Sequence, residues 1–159
     1  MRSSSSVVIG GLALLGAGCG GAVGQTRPTV IIEEGQLFIV DQLSSDEVPM
    51  EIRFELDSEV IGAESERPLE VLAEFIASHS ELGAIEVHGH TDEQGTPAYN
   101  MALSRRRARA VVAFLAAAGA DRDRLRARGF GDRRPVTRDT TPDARARNRR
   151  VEFVIVTER

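Results

Sequence analysis

The apolar positions after Pro28 fall into short runs that are typical of strands. Gly35 and the polar stretch "SSDEVP" separate the first three, and the first two predict a hairpin: "TVIIEE", "GQLFIVDQ" and "MEIRFEL". Later segments predict further strands or extended segments: "AIEVHG", "RARGFG" and "VEFVIV". The order of these runs indicates a sheet assembled from both halves of the chain.

Two longer segments carry apolar residues at helical spacing. The first is "ERPLEVLAEFIASHSELG", with Pro68 suited to its first turn and Gly83 just past its end. The second begins at Thr96 and Pro97 and runs to a stop at Gly119. "TTPDARARNRR" predicts one more helical turn. Strands that alternate with helices predict an α/β (α+β) sandwich, in which the two main helices pack on one face of a sheet.

The N-terminal segment has the layout of an export signal. Arg2 and a serine run precede the apolar stretch "VVIGGLALL", which is too short to span a bilayer permanently and ends in small residues before Cys19. Because Cys19 is the chain's only cysteine, a disulfide within the chain is excluded. The layout resembles a bacterial lipoprotein signal, in which that cysteine is lipidated. The alternative is an ordinary secreted protein with an incidental cysteine.

These features divide the chain into three expected parts. Residues 1–18 are predicted to be a signal peptide, and residues 19–28 a lipidated N-terminus with a flexible tether. Residues 29–159 are predicted to form a single globular domain, since 42% hydrophobic content supplies a sizeable core.

Charge is segregated along the chain, which has a net charge of −4. Residues 28–99 hold 17 acids against Arg53 and Arg67, whereas residues 101–150 hold 15 arginines against 5 acids. An arginine-rich half is one sign of nucleic-acid binding. Export, the negative net charge and the scarcity of aromatic residues, with Tyr99 the only tyrosine, oppose that interpretation. We therefore expect no nucleic-acid partner.

An arginine in the apolar stripe of the second long helix is the main candidate for ligand binding. At about 100° per residue, Arg107 falls near the middle of the inner face, where a guanidinium needs an anion. Asp92 is within reach, because five extended residues travel about 17 Å and ten helical residues return about 15 Å. Asn100 and Ser104 lie beside the gap. Two interpretations are possible: Asp92 and Arg107 form a salt bridge that fixes the loop, or they are separated and bind a ligand that has an ammonium and a carboxylate.

Four segments occur in an order that resembles a known domain: "IRFELDSEVI", "VHGHTDEQGTPAYNMALSRRRARAVVAFL", "RLRARGFGDRRPV" and "DARARNRRVEF". Over about residues 50–157 the chain resembles the C-terminal domain shared by outer membrane protein A, the flagellar stator protein MotB and peptidoglycan-associated lipoprotein. The lipoprotein-like signal makes the last type the nearest. The resemblance implies a βαβαβ-type mixed sheet and non-covalent binding of peptidoglycan through the diaminopimelate of its stem peptide.

The resemblance also implies roles for individual residues. Asp92 and Arg107 match the family positions that contact the amine and the carboxylate of diaminopimelate. Arginine suits the second role because its fork holds a carboxylate by two parallel hydrogen bonds. Ala144 stands where the family often has glycine. Other motif positions are expected to line or brace the groove: Thr91, Asn100, Ser104, Arg145, Asn148 and Arg150.

The same resemblance implies a location and partners. Cys19 would carry a fatty acid such as palmitate and anchor the chain in the outer membrane, with the domain in the periplasm. The chain would then tether that membrane to the cell wall as a lipoprotein. Tol-type envelope proteins are candidate partners.

A metal-dependent hydrolase is the alternative function. His88, His90 and Asp92 would share a face if the strand persisted through them, and H-x-H-x-D occurs in metallohydrolases. However, the only other histidine is His79 at a helix end, and the domain has no cysteine, so too few ligands remain. We expect no metal or other cofactor, with His88 at the sheet surface and His90 hydrogen-bonded within the loop. Because the chain has no nucleophile elbow, phosphate loop or glycosidase acid pair, we expect a non-enzymatic binder.

Overall fold

The computed structural model describes residues 52–55 and 58–156, together with the backbone of three short strands nearer the N-terminus. These strands are β1 (Val7–Val8), β2 (Thr29–Glu33) and β3 (Gln36–Val40). The predicted hairpin is confirmed, because β2 and β3 pair antiparallel with Glu33 opposite Gln36. Of the predicted signal peptide only the backbone of Val7–Val8 is described, and Cys19 and the predicted tether lie outside the described residues, so the signal peptide and the lipidation stay predictions.

Three helices and three strands form the rest of the fold. In chain order they are α1 (Ala63–Ser78), β4 (Ala84–His90), α2 (Pro97–Ala117), β5 (Leu125–Gly131), α3 (Pro142–Asn148) and β6 (Val151–Val156). Single 3-10 turns, Ser80–Leu82 and Arg122–Arg124, precede β4 and β5. The strand order in the sheet is β1-β2-β3-β6-β4-β5. Since β4 runs parallel to β5 and antiparallel to β6, the predicted mixed sheet is confirmed.

Alternate residues of the strands determine what each face of the sheet contacts. Ile85 and Val87 of β4 and Phe153 of β6 are at most 5% exposed and pack in one core with apolar residues of α1 and α2. The helices therefore cover one face, as expected, and burial of each large aliphatic side chain contributes roughly 1.5–3 kcal/mol. Side chains of the intervening positions, such as Glu86 and His88, lie on the other face, which we call the helix-free face.

Helix α2 approaches the sheet closely because glycines lie beneath it. A Cβ atom on Gly89 would collide with the carbonyl oxygen of Ser104, and one on Gly129 would collide with the backbone of Arg105. Ser104 is fully buried; its hydroxyl donates to the Met101 carbonyl oxygen at 3.1 Å and accepts from the Gly131 N–H at 2.9 Å. This contact fixes the N-terminal half of α2 against the ends of β4 and β5.

Two predicted elements differ from the structure. Helix α1 begins at Ala63, so Pro68 lies in its second turn rather than its first. The additional turn is stabilised by burial of Ser65, whose hydroxyl oxygen accepts a hydrogen bond from the Arg53 N–H at 2.9 Å. The predicted strand "MEIRFEL" is reduced, within the described residues, to one antiparallel bridge between Phe54 and Ile61.

Candidate functional site

Asp92 lies in the loop after β4, beside the first turn of α2, and is 7% exposed. Its Oδ2 accepts a hydrogen bond from Arg149 Nη1 at 2.8 Å, and its Oδ1 accepts one from the Gln94 N–H at 3.1 Å. Asn100, which is 1% exposed, donates from Nδ2 to the Asp92 carbonyl oxygen at 3.2 Å. The carboxylate is therefore oriented by the Gln94 N–H and by Arg149 just after α3, while Asn100 of α2 holds the Asp92 backbone.

Arg107 faces inward from α2, as its position in the stripe predicted, and is 8% exposed. Its Nε donates to the Ser58 carbonyl oxygen at 2.9 Å, and its guanidinium carbon lies 4.9 Å from the centroid of the Phe54 ring. These contacts come from the segment before α1, which the sequence analysis did not include in the site. A closed salt bridge with Asp92 is not among the contacts of the described residues.

Thr91 and Asn148 border an open cleft of about 160 Å³ beside the Asp92 loop, whose other lining residues include Glu93, Asp132 and Arg138. Asn148 is 3% exposed, and its Oδ1 accepts from the N–H groups of residues 136 and 137 at 2.9 and 3.2 Å. Thr91 is 4% exposed, and within the described part of the chain its hydroxyl oxygen has no hydrogen-bond partner. Asn148 thus braces the wall of the cleft, whereas Thr91 leaves a polar atom for a further partner.

Arg145 ties α3 to the Asp92 loop. Its Nε donates to Glu93 Oε1 at 2.7 Å, and this hydrogen bond lowers the pKa of the Glu93 carboxyl. Ala144, which stands where the family often has glycine, is fully buried. The structure therefore brings Arg145 close to Asp92 through Glu93.

Arg150 lies away from this group of residues. It donates from Nε to Glu152 Oε1 at 2.7 Å, on the helix-free face, and from Nη2 to the Arg134 carbonyl oxygen at 3.1 Å. Its neighbour Arg149 contacts Asp92 instead, and the sequence analysis missed it. Strand alternation was the available signal: Val151 faces the core, so Arg149 is expected on its side and Arg150 on the opposite side.

The two histidines of "VHGH" lie on the helix-free face. His88 is 8% exposed and its Nε2 lies 2.9 Å from Glu86 Oε2, while His90 is 2% exposed. The expectation that His90 hydrogen-bonds within the loop is wrong, because β4 extends through His90 and neither ring nitrogen has a hydrogen-bond partner among the described residues. Phe130 lies against both rings, with centroid distances of 4.8 Å to His88 and 5.3 Å to His90.

Burial and neighbouring charges shift the pKa values on this face. Burial lowers the pKa of His90, although Glu152 opposes the shift, so the neutral ring is favoured. The His90 ring and Arg150 together lower the pKa of the Glu152 carboxyl to about 2, against the opposing effect of burial. Burial also disfavours ionisation of Glu86, but hydrogen bonds from His88 and Arg128 outweigh it and lower the Glu86 pKa.

The hydrolase constellation of His88, His90 and Asp92 does not assemble. The third potential ligand beside the two histidines is Glu152, and the three ligand atoms lie within 4.8 Å of one another. Asp92 is instead turned to Arg149 and the start of α2, because the strand ends at His90. The alternative hydrolase site, which required Asp92 beside the two histidines, is therefore not formed.

Comparison with known sequences adds relatives to this geometry. The sequence model of the OmpA family matches residues 53–149. The peptidoglycan-associated lipoprotein of Pseudomonas aeruginosa is 38% identical over 118 residues, which cover 72% of this chain and 69% of the relative. Outer membrane protein A of Bordetella avium is 41% identical over 106 residues, covering 67% of this chain and 54% of the relative. Outer membrane porin F of Pseudomonas fluorescens is 40% identical over 105 residues, which cover 66% of this chain and 32% of the relative. The chain therefore spans only about a third to a half of the length of the last two relatives.

Solved structures confirm the mixed α/β fold. The peptidoglycan-associated lipoprotein from Burkholderia pseudomallei aligns with a TM-score of 0.61 and 32% identity, over 65% of this chain and 86% of that chain. The cell wall anchor of the T6SS from Pseudomonas aeruginosa aligns with a TM-score of 0.56 and 33% identity, over 66% of this chain and 75% of that chain. The C-terminal domain of Helicobacter pylori MotB shares the fold, with a TM-score of 0.63 over 70% of this chain and 87% of that chain. Its sequence is 24% identical over the aligned region.

Among the described residues, no helix combines the length and the apolar character that crossing a membrane requires.

Proposed function

Because the chain belongs to the OmpA family, we propose that its domain binds peptidoglycan non-covalently, through the diaminopimelate of the stem peptide. The observation that carries this proposal is the placement of Asp92 and Arg107. Each is more than nine-tenths buried, yet each is oriented by its own partners rather than by the other. A buried carboxylate and a buried guanidinium on neighbouring elements match the two charges of a zwitterionic ligand.

Helix geometry supports a common site for the two residues. Asp92 is bonded to Asn100, and Arg107 lies seven residues further along the same buried face of α2, about 10 Å along the axis. Helical side chains lean toward the N-terminus, which is the end of α2 that the Asp92 loop precedes. A ligand carboxylate at Arg107 and its ammonium at Asp92 would then lie along this half of α2.

Diaminopimelate has the chemistry that this arrangement selects. After its incorporation into the stem peptide it keeps a free ammonium and a free carboxylate on one carbon. The guanidinium holds a carboxylate by two parallel hydrogen bonds, and Asp92 accepts from the ammonium. Both protein groups are already largely buried, so a ligand that reaches them pairs with partly desolvated charges, and charged hydrogen bonds contribute about 1.5–3 kcal/mol each.

We further propose that the domain is not an enzyme and that it acts as part of an envelope lipoprotein. Relatives named peptidoglycan-associated lipoprotein support export and attachment at Cys19, with the anchor in the outer membrane and the domain in the periplasm. A Tol-type protein partner belongs to the same proposal. Loss of fatty-acid labelling in Cys19→Ser tests the anchor, and labelling that persists in this variant would contradict it.

Sedimentation with purified peptidoglycan tests the binding site. The full chain should pellet with the wall material, and Asp92→Asn and Arg107→Ala should each remain in the supernatant. Arg105→Ala is the matched control, since Arg105 is an exposed arginine on the same helix. Circular dichroism verifies that each variant is folded. Pelleting of both folded variants at the level of wild type would refute the site.

A further inference from the structure

The helix-free face carries a second group of potential ligand atoms, two of them on buried histidines, which the proposed peptidoglycan site does not use. His88, His90 and Glu152 each offer one such atom, and the three atoms lie within 4.8 Å of one another. His90 is 2% exposed, and within the described part of the chain neither of its ring nitrogens has a hydrogen-bond partner. Its nearest carboxylate is that of Glu152, whose Oε2 lies 3.4 Å from His90 Nε2 without hydrogen-bond geometry, so the polar atoms of this group are close together but incompletely satisfied.

The distances are those of a metal site that is nearly formed. His90 Nε2 lies 3.4 Å from Glu152 Oε2. Bonds of about 2.1 Å to a tetrahedral zinc ion place neighbouring donor atoms about 3.4 Å apart, so these two atoms are already correctly spaced. His88 is the direct cross-strand partner of Glu152, and a side-chain movement of up to about 1.4 Å would bring its ligand atom to the same spacing.

Residues around these three side chains orient them. Glu86 Oε2 lies 2.9 Å from His88 Nε2, which is the carboxylate–histidine arrangement that positions metal ligands. Arg150 donates to Glu152 Oε1 at 2.7 Å and leaves Oε2 directed toward His90. Phe130 covers both imidazole rings and limits access of water.

We propose that His88, His90 and Glu152 bind one divalent transition-metal ion of the zinc type, with water as the fourth ligand. Two neutral imidazoles and one carboxylate suit zinc better than calcium or magnesium, which prefer oxygen ligands. The ion would join β4 to β6 at the helix-free face. The guanidinium groups of Arg128 and Arg150 lie nearby and weaken the attraction for a cation, so binding is weaker than at an all-protein structural zinc site.

Isothermal titration calorimetry with ZnCl₂ tests this site. The full chain is first treated with a chelator and carries Cys19→Ser, which removes the only thiol. We expect one saturable equivalent of zinc, and affinities reduced at least about tenfold in His88→Gln and in Glu152→Gln. His79→Gln is the matched control and should bind as the parent does, because His79 is the only histidine outside the group.

Thermal unfolding supplies a second readout. Zinc should raise the melting temperature of the parent and of His79→Gln, and should leave that of Glu152→Gln unchanged. Glu152 is partly exposed, so its substitution tests the site even if His88→Gln does not fold. The absence of saturable binding, or equal affinity in Glu152→Gln and the parent, would overturn the proposal. Peptidoglycan sedimentation should be unaffected by the chelator, so failure of either proposal leaves the other standing.

Discussion

On the helix side of the sheet, Asp92 and Arg107 are buried beside partners from distant segments, whereas on the helix-free side His90 is buried without a hydrogen-bond partner among the described residues. In the first arrangement a carboxylate and a guanidinium are each oriented by protein contacts. In the second, two imidazoles and a carboxylate lie with their ligand atoms within 4.8 Å of one another. Buried polar side chains therefore indicate a proposed binding site on each face of the sheet. The chemical type of those side chains indicates the ligand: a zwitterion for the carboxylate and guanidinium, and a metal ion for the two imidazoles and the carboxylate.

On the helix side, the position of α2 depends on its close contact with the glycines of the sheet. Of the substitutions considered, Gly129→Ala should destabilise the fold most. The added Cβ would meet the backbone of Arg105 and the hydroxyl of Ser104, so α2 must shift. We expect the free energy of unfolding to fall by about 3 kcal/mol in urea denaturation. Gly119→Ala is the control, since Gly119 has a positive φ of 107° but no atom within 4 Å of the added carbon. Its cost should be about 1 kcal/mol, from backbone strain alone; equal costs for the two variants would remove the steric explanation.

The helix-free face should respond to acid. The pKa of Glu152 is depressed to about 2, so its contribution to stability is complete above its unfolded value near 4.5 and is lost as the pH falls toward 2. The lowered pKa of His90 acts in the same direction below about 6.5, because the folded state takes up its proton less readily. With a chelator present, denaturation at pH 6 and pH 3 should differ by about 2 kcal/mol more in wild type than in Glu152→Gln. A pH dependence that is identical in the two proteins would contradict this assignment.

Arg149→Gln tests which groups on the helix side contact the ligand, and its expected effect on peptidoglycan affinity is the smallest of the three. Arg149 is half exposed and occupies Asp92 Oδ2, where the ligand ammonium is proposed to bind. Because Arg149 would compete with the ligand ammonium for this oxygen, its removal should strengthen peptidoglycan binding by about fivefold, or about 1 kcal/mol, in a sedimentation titration. Arg147→Gln makes the same charge change at an exposed position of α3 and should leave the affinity unchanged. Weaker binding by Arg149→Gln would mean that Arg149 itself contacts the ligand.

Local patterns in the sequence predicted the elements and the inward direction of Arg107. Thr96 and Pro97 began α2 as predicted, and the apolar stripe placed the guanidinium on the buried face. The partners could not be predicted in the same way. Ser58 is 49 residues from Arg107, and Arg149 is 57 residues from Asp92, so only the tertiary fold brings them together.

The two histidines of β4 show that a sequence pattern does not predict where a strand ends or which strand pairs with it. Alternation along β4 correctly placed His88 on a sheet surface, but it grouped Asp92 with the histidines on the assumption that the strand continues. The strand ends at His90, and the chain turns toward α2. Glu152 took the expected place of Asp92 because β6 pairs with β4 in a register that sets Glu152 opposite His88. That register depends on contacts between segments about sixty residues apart.

Calorimetric titration with two soluble stem peptides tests the proposed recognition of a zwitterion most directly. One peptide carries diaminopimelate with its free carboxylate, and the other carries lysine at the same position. We expect the first to bind, and the second to bind at least about tenfold more weakly, a difference of about 1.4 kcal/mol, because Arg107 then has no carboxylate to hold. Equal affinities for the two peptides would contradict the assignment of Asp92 and Arg107 as a diaminopimelate site.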